Sequence, residues 1–172
     1  MTDGAIGQQA SSGSGNTGGS AHSNAVAGCS LCEETGGELL WSDRWLRVIA
    51  AHEPDYPGFC RVVWSAHVAE FSDLDAAQQQ HLMQVVATVE RVIRRVMTPQ
   101  KINLASLGNQ VPHVHWHVIP RYADDAHFPA PIWATERRVV EPVVIAKRVA
   151  QADGLRLALA EALDTLNTAS SH

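Results

Sequence analysis

The sequence predicts an α+β fold built on an antiparallel sheet of about five strands, with one long helix and a C-terminal helix. Three observations carry this. Short β-prone runs are separated by Pro- and Gly-rich connections, one long stretch keeps a helical period, and no alternating βαβ pattern is present. Trp45 to Ala51 (WLRVIAA) and Phe59 to Trp64 (FCRVVW) flank the segment HEPDYPG, which reads as two neighbouring strands and their turn. Ser72 with Asp75 three residues later resembles a capping box. Behind it Leu82, Val85, Val86, Val89, Ile93 and Val96 recur at helical spacing until Pro99, a helix of about 24 residues. Its exposed face carries Arg91, Arg94 and Arg95, read as a solvated stripe. Lys101 to Leu107 and His113 to Ile119 read as a hairpin joined through Gly108, Asn109 and Pro112. A Pro-containing loop, Tyr122 to Trp133, then precedes a helix marked by Leu155, Leu159, Ala162, Leu163 and Leu166.

Three regions follow. Residues 1–27 are rich in Gly, Ser, Ala, Asn and Gln, with too few apolar side chains to offset the entropy of ordering, so they are expected to be a disordered tail. Residues 28–134 form the main domain, and 135–172 a helical extension. With 13 Lys+Arg against 18 Asp+Glu, the net charge of −5 has the wrong sign for a protein that coats a nucleic acid polymer. No apolar run approaches the roughly 20 residues of a membrane span. An odd number of cysteines, three, argues against a disulfide framework and for a reducing, cytoplasmic setting.

Chemistry concentrates at His113, His115 and His117, which alternate with Val114, Trp116 and Val118. On a strand this places three imidazoles on one face and three apolar side chains on the other. Burying three adjacent imidazoles as mere structure would require a partner for every nitrogen. Two uses remain, as metal ligands or as a nucleophile with acid/base neighbours. The strand continues into Pro120 and Arg121, and Arg121 suits an anion better than a cation. Just upstream, Gly108 allows close backbone approach while Asn109 and Gln110 offer amide donors. The cluster therefore reads as a phosphoryl site, with Ser106, Asn109, Gln110 and Arg121 as candidate substrate contacts.

The run HVHWHVI, continued by Pro120 and Arg121, resembles the histidine-triad (HIT) family. The likeness extends from the C-x-x-C start through Pro57-Gly58, His67 and the Gly108-Asn109 turn, covering roughly residues 29–133. It implies an α+β domain, commonly a homodimer, that hydrolyses or transfers nucleoside monophosphate groups. Matched by position, His115 is the nucleophile that forms a nucleotidyl-histidine intermediate, His117 binds a phosphate oxygen and assists the leaving group, and His113 supports them. A third histidine, where transferases tend to carry Gln, favours hydrolysis. The expected substrate is a dinucleoside polyphosphate or a nucleoside phosphoramidate, with a nucleotide sensor or a metal-dependent hydrolase as the competing readings. The chain departs from the pattern at Phe59, where many members have a further histidine, and at Ala51, where a ribose-holding polar residue is common. The chemistry requires no cofactor. Cys29 and Cys32 have a spacing that lets two thiolates reach one tetrahedral ion, with His67 and His113 as the remaining ligands of a structural zinc. The alternative is a reduced pair packed in a turn. A valine-rich face on the long helix adds to the expectation of a homodimer.

Overall fold

The computed structural model describes residues 25–169, so most of the 1–27 tail lies outside the described residues. Five strands form one antiparallel sheet: β1 (Glu38–Ser42), β2 (Leu46–Ala50), β3 (Cys60–Trp64), β4 (Lys101–Ala105) and β5 (His115–Arg121), in the order β1-β2-β3-β5-β4. β1 was not legible as an element. It is five residues long, only Trp41 is buried, and a register shift between Leu39 and Trp41 breaks its alternation.

Alternation divides the sheet. Leu46, Val48, Cys60, Val62, Trp64 and Val118 point to one face and enter the main core. The long helix α2 (Ala76–Met97) lies on that face and contributes Leu82, Val85, Val89 and Ile93, all fully buried. Its 22 residues begin later than the sequence suggested. The capping box is formed by Asp75 and Gln78, whose side chains accept from each other's backbone N–H at 2.9 and 3.0 Å. Ser72 instead sits in a short 3-10 turn, Phe71–Asp73. The valines expected to face a second copy are consumed by this core: Val85, Val86 and Val89 are 0% exposed and Val92 3%. Arg91, Arg94 and Arg95 are exposed, as read.

The extension beyond residue 134 holds two helices where one was expected, α3 (Pro142–Ala152) and α4 (Leu155–Ala169), and α3 begins with a proline suited to a first helical turn. Leu155, Leu159 and Leu163 enter the main core, and Trp41 Nε1 donates to Asp164 at 2.8 Å. The described part of the extension thus shares one core with the sheet. Among the described residues no helix is long and apolar enough to cross a membrane.

One strand boundary bears on the site. β5 begins at His115, so His113 is not on the strand with the other two histidines. Its N–H donates to Val111 at 2.8 Å and that of Val114 to Val68 at 2.7 Å, partners in loops outside the ladder. The expectation of three imidazoles on one strand face is corrected accordingly.

Leu159, 0% exposed, tests the shared core. Leu159→Ala should cost about 2–5 kcal/mol in denaturant unfolding, as for other fully buried leucines. A loss under about 0.5 kcal/mol, the range of surface substitutions, would show that the extension is not part of the core.

Candidate active site

β3 and β5 bring the chemistry together. His115 pairs with Val63 and His117 with Arg61, and these residues lie on the face opposite α2. The two imidazoles stand edge to face, 4.9 Å apart, and are 8% and 7% exposed. His115 Nδ1 donates to the His113 carbonyl at 2.6 Å. A carbonyl only accepts, so Nδ1 carries the proton and Nε2 keeps its lone pair. A cavity of about 320 Å³ opens over both rings, bounded by Leu107 to Val111 on one side and Trp133 on the other. Gly108 turns this loop at φ +72, a conformation that favours glycine.

Electrostatics keep both rings neutral at pH 7. Burial pushes the His117 imidazole down to about 4, assisted by repulsion from His115 and from the Arg61 guanidinium. His115 is lowered by burial and by Arg61, partly offset by its bond to the His113 carbonyl. Among the described residues, His117 Nδ1 is a buried nitrogen with no hydrogen-bond partner.

Behind this pair, Cys29, Cys32, His67 and His113 converge with all four donor atoms within 4.8 Å of one another. The turn at α1 (Ser30–Glu33) places the cysteines. Arg47 on β2 clamps that turn by donating to Leu31, Thr35 and Glu34 carbonyls at 2.7, 3.1 and 3.2 Å. His113 Nδ1 lies 3.5 Å from both sulfurs, and His67 Nδ1 lies 3.4 Å from Cys32 Sγ. A tetrahedral zinc with ordinary Zn–S and Zn–N bonds sets such edges at about 3.6 Å. His113 Nε2 donates to the Trp64 carbonyl at 2.7 Å, leaving Nδ1 free to bind a metal. The donor set fits zinc.

Comparison with known proteins places this geometry. The HIT domain family model matches residues 34–124, more than half of the chain. The chain belongs to the HIT domain family. A solved histidine triad protein, blr8122 of Bradyrhizobium japonicum, is 26% identical, with a TM-score of 0.60 over 73% of this chain and 92% of that one. An AP-4-A phosphorylase of Mycobacterium tuberculosis is 33% identical over 81 residues, 44% of this chain and 42% of the relative. The asymmetrical bis(5'-nucleosyl)-tetraphosphatase of Schizosaccharomyces pombe is 27% identical over 95 residues, 52% of each chain. The chain thus spans about half the length of the curated relatives it matches.

Within this HIT domain, His115, His117, Asn109 and Gln110 line one cavity. Ser106 braces the strand instead, its hydroxyl donating to the His115 carbonyl at 2.9 Å. Arg121 is a correction. It is 1% exposed, and its guanidinium is spent on Asp125 at 2.7 and 3.0 Å, Asn103 at 2.5 Å and the Ala130 carbonyl at 2.8 Å. With four of its five N–H donors committed inside the protein, it pins the loop after β5, and it does not line the cavity over the histidines. Phe59 and Ala51 pack around Tyr56 and Ile119 as an apolar wall, with the Phe59 ring 5.6 Å from His117. Two residues escaped the sequence reading. Trp133 is 53% exposed and stands edge-on to His117 at 5.3 Å, but only the fold of its loop brings it there. Arg61 is the polar residue of FCRVVW, and only the β3–β5 register sets it beside His117.

The depressed His117 has a thermodynamic consequence. With a native value near 4 against an ordinary 6.5, the unfolded chain binds the proton first, so this contribution is present above pH 6.5 and lost as pH falls toward 4. In melts at pH 6.5 and 4.5, wild type should lose more Tm than His117→Gln; equal losses would mean that His117 is not buried as the neutral base.

Proposed function

We propose that this protein cleaves nucleotides at the α-phosphorus through a nucleotidyl-His115 intermediate, with hydrolysis as the net reaction. The observation that carries the reading is the 2.6 Å bond from His115 Nδ1–H to the His113 carbonyl, which leaves Nε2 as the nucleophilic lone pair beneath the cavity. A neutral imidazole meets no repulsion from the anionic phosphate. Nε2 attacks in line, a P–N bond forms, and the bond to the leaving group breaks with its electron pair. His117, neutral like its neighbour, donates its N–H as a hydrogen bond to a phosphate oxygen, and a polyphosphate leaving group departs as its own stable anion without taking a proton. Water then attacks the same phosphorus and gives up a proton to solvent, the P–N bond breaks, and His115 recovers its lone pair as nucleoside monophosphate departs. Asn109 and Gln110 supply fixed donors to the phosphate oxygens, and such preorganised donors account for much of the effect in phosphoryl transfer. Trp133 provides an aromatic wall beside His117, on the leaving-group side.

The names of the curated relatives support a dinucleoside polyphosphate as substrate. Histidine at position 117 supports hydrolysis over transfer. A phosphoramidate remains within the same chemistry, since the attacked atom is identical.

The reading includes a structural zinc held by Cys29, Cys32, His67 and His113. These residues would hold the ion between the α1 turn and the segment before β5, where it would supply a structural cross-link, and His113, whose carbonyl sets the His115 tautomer, would be one of its ligands. The free state of Cys29, Cys32 and Cys60 supports a cytoplasmic setting. A homodimer also belongs to this reading, supported by the edge strand β4 with its exposed Leu104.

Two measurements test these roles. His115→Asn should lower turnover of diadenosine tetraphosphate by roughly a thousandfold, about 4 kcal/mol of transition-state stabilisation, with little change in nucleotide affinity. Acid-labile label from an α-phosphate-labelled substrate should map to His115 in wild type; retention of more than roughly a tenth of the activity, or label on His117, overturns the assignment. For the metal, protein purified without chelators should carry one zinc per chain by elemental analysis. Cys29→Ser should lower both zinc content and Tm, and if neither changes the site does not bind zinc.

A further inference from the structure

The histidine face carries two strand arginines in opposite states. Arg47 is satisfied by three carbonyls at 2.7 to 3.2 Å and is locked beneath the α1 turn. Arg61 is loosely held. Its guanidinium reaches the Gly36 carbonyl at 3.5 Å and Glu53 Oε1 at 3.4 Å, both long for a charged hydrogen bond. The ion pair is open to solvent, with Arg61 and Glu53 side chains 24% and 44% exposed. Exposed pairs of this kind are worth about 0–1 kcal/mol and exchange readily for a better anion.

Position decides which anion. Arg61 is the Cα partner of His117 in the β3–β5 ladder, and directly opposed residues hold their Cβ atoms about 4.5–5.5 Å apart on one face. The cation therefore stands beside the histidine that serves the leaving group. Its guanidinium carbon lies 5.2 Å over the Phe59 ring, a cation–π contact that keeps it on this side of the site. Its charge also depresses both His115 and His117 beyond what burial alone does. Overall the protein is negative by five charges, so a polyphosphate has little attraction to the chain as a whole and must be held by local cations.

We propose that Arg61 is a specificity-determining residue that leaves Glu53 to hold phosphate oxygens of the leaving group, so that the site favours nucleotides with further phosphates beyond the one attacked. The proposal rests on the nucleotide-cleaving reading above. A guanidinium offers two parallel N–H donors to one phosphate, a geometry Glu53 does not exploit here. A phosphoramidate with a small amine leaving group has no oxygens in that place and gains nothing from Arg61.

The test separates this proposal from the function it rests on by measuring binding in the His115→Asn background, where turnover plays no part. Diadenosine tetraphosphate and adenosine monophosphate are titrated by calorimetry with and without Arg61→Met, which keeps the apolar stem. Affinity for the tetraphosphate should fall by roughly tenfold and that for the monophosphate by less than about twofold. Glu53→Gln, which releases Arg61, should tighten the tetraphosphate about twofold to threefold and leave the monophosphate unchanged. Equal losses for both ligands, or no loss for either, overturn the proposal while leaving the nucleophile assignment intact. If Arg61→Met does not fold, Glu53→Gln decides, and no tightening overturns it. Should wild type fail to turn over diadenosine tetraphosphate and yet show the Arg61-dependent preference in binding, the cleavage reading fails and with it the leaving-group role, and Arg61 is left as a polyphosphate-binding residue only.

Discussion

His113 is used three times, and the rest of the site depends on it. Its Nδ1 lies 3.5 Å from the sulfurs of Cys29 and Cys32, its Nε2 donates to the Trp64 carbonyl, and its own carbonyl accepts from His115 Nδ1. The ring is held from both sides, and the backbone it carries can present that carbonyl in only one place. The tautomer of His115 follows, because an imidazole that donates from one nitrogen keeps a lone pair on the other. A residue outside β5 thereby sets the protonation of the residue that opens it.

The sheet keeps two environments apart with a single layer of backbone. On the α2 side lie Val48, Val62 and Val118 with the leucines of α4, a face with no chemistry of its own. On the other side lie Arg47, Arg61, His115 and His117. Charges on this side are placed so that each is paired, spent or poised. Arg47 is spent on the turn that carries the cysteines, and Arg61 stays only lightly engaged. The two imidazoles remain neutral because burial and a nearby cation both oppose their protonation. This is the protonation state that a nitrogen nucleophile requires.

The loop after β5 closes the remaining side. Asp125 accepts from Arg121 and from the backbone N–H groups of Tyr122, His127 and Phe128, so a short acidic turn is rigid without secondary structure. Arg121 also holds the Ala130 carbonyl. Trp133, three residues further on, is thus delivered to the edge of His117. An arginine read as a phosphate ligand contributes instead by fixing an aromatic wall. An anion is indeed its partner, but that anion is Asp125.

Local patterns in the sequence determined the strands β2 to β5, the long helix, the cluster of imidazoles and the C-x-x-C pair, because period, turn residues and ligand spacing are set over a few residues. They also placed His115 and His117 together, since alternation on one strand needs no knowledge of the neighbours. Only the tertiary structure decided the rest. The departure of His113 from the strand depends on loop hydrogen bonds to Val68 and Val111. The convergence of His67 with Cys32 spans 35 residues, and Arg61 meets His117 only through the register of β3 on β5. The burial of Arg121 and the entry of Leu159 into the core likewise rest on contacts between segments distant along the chain, whose geometry no short window of sequence encodes.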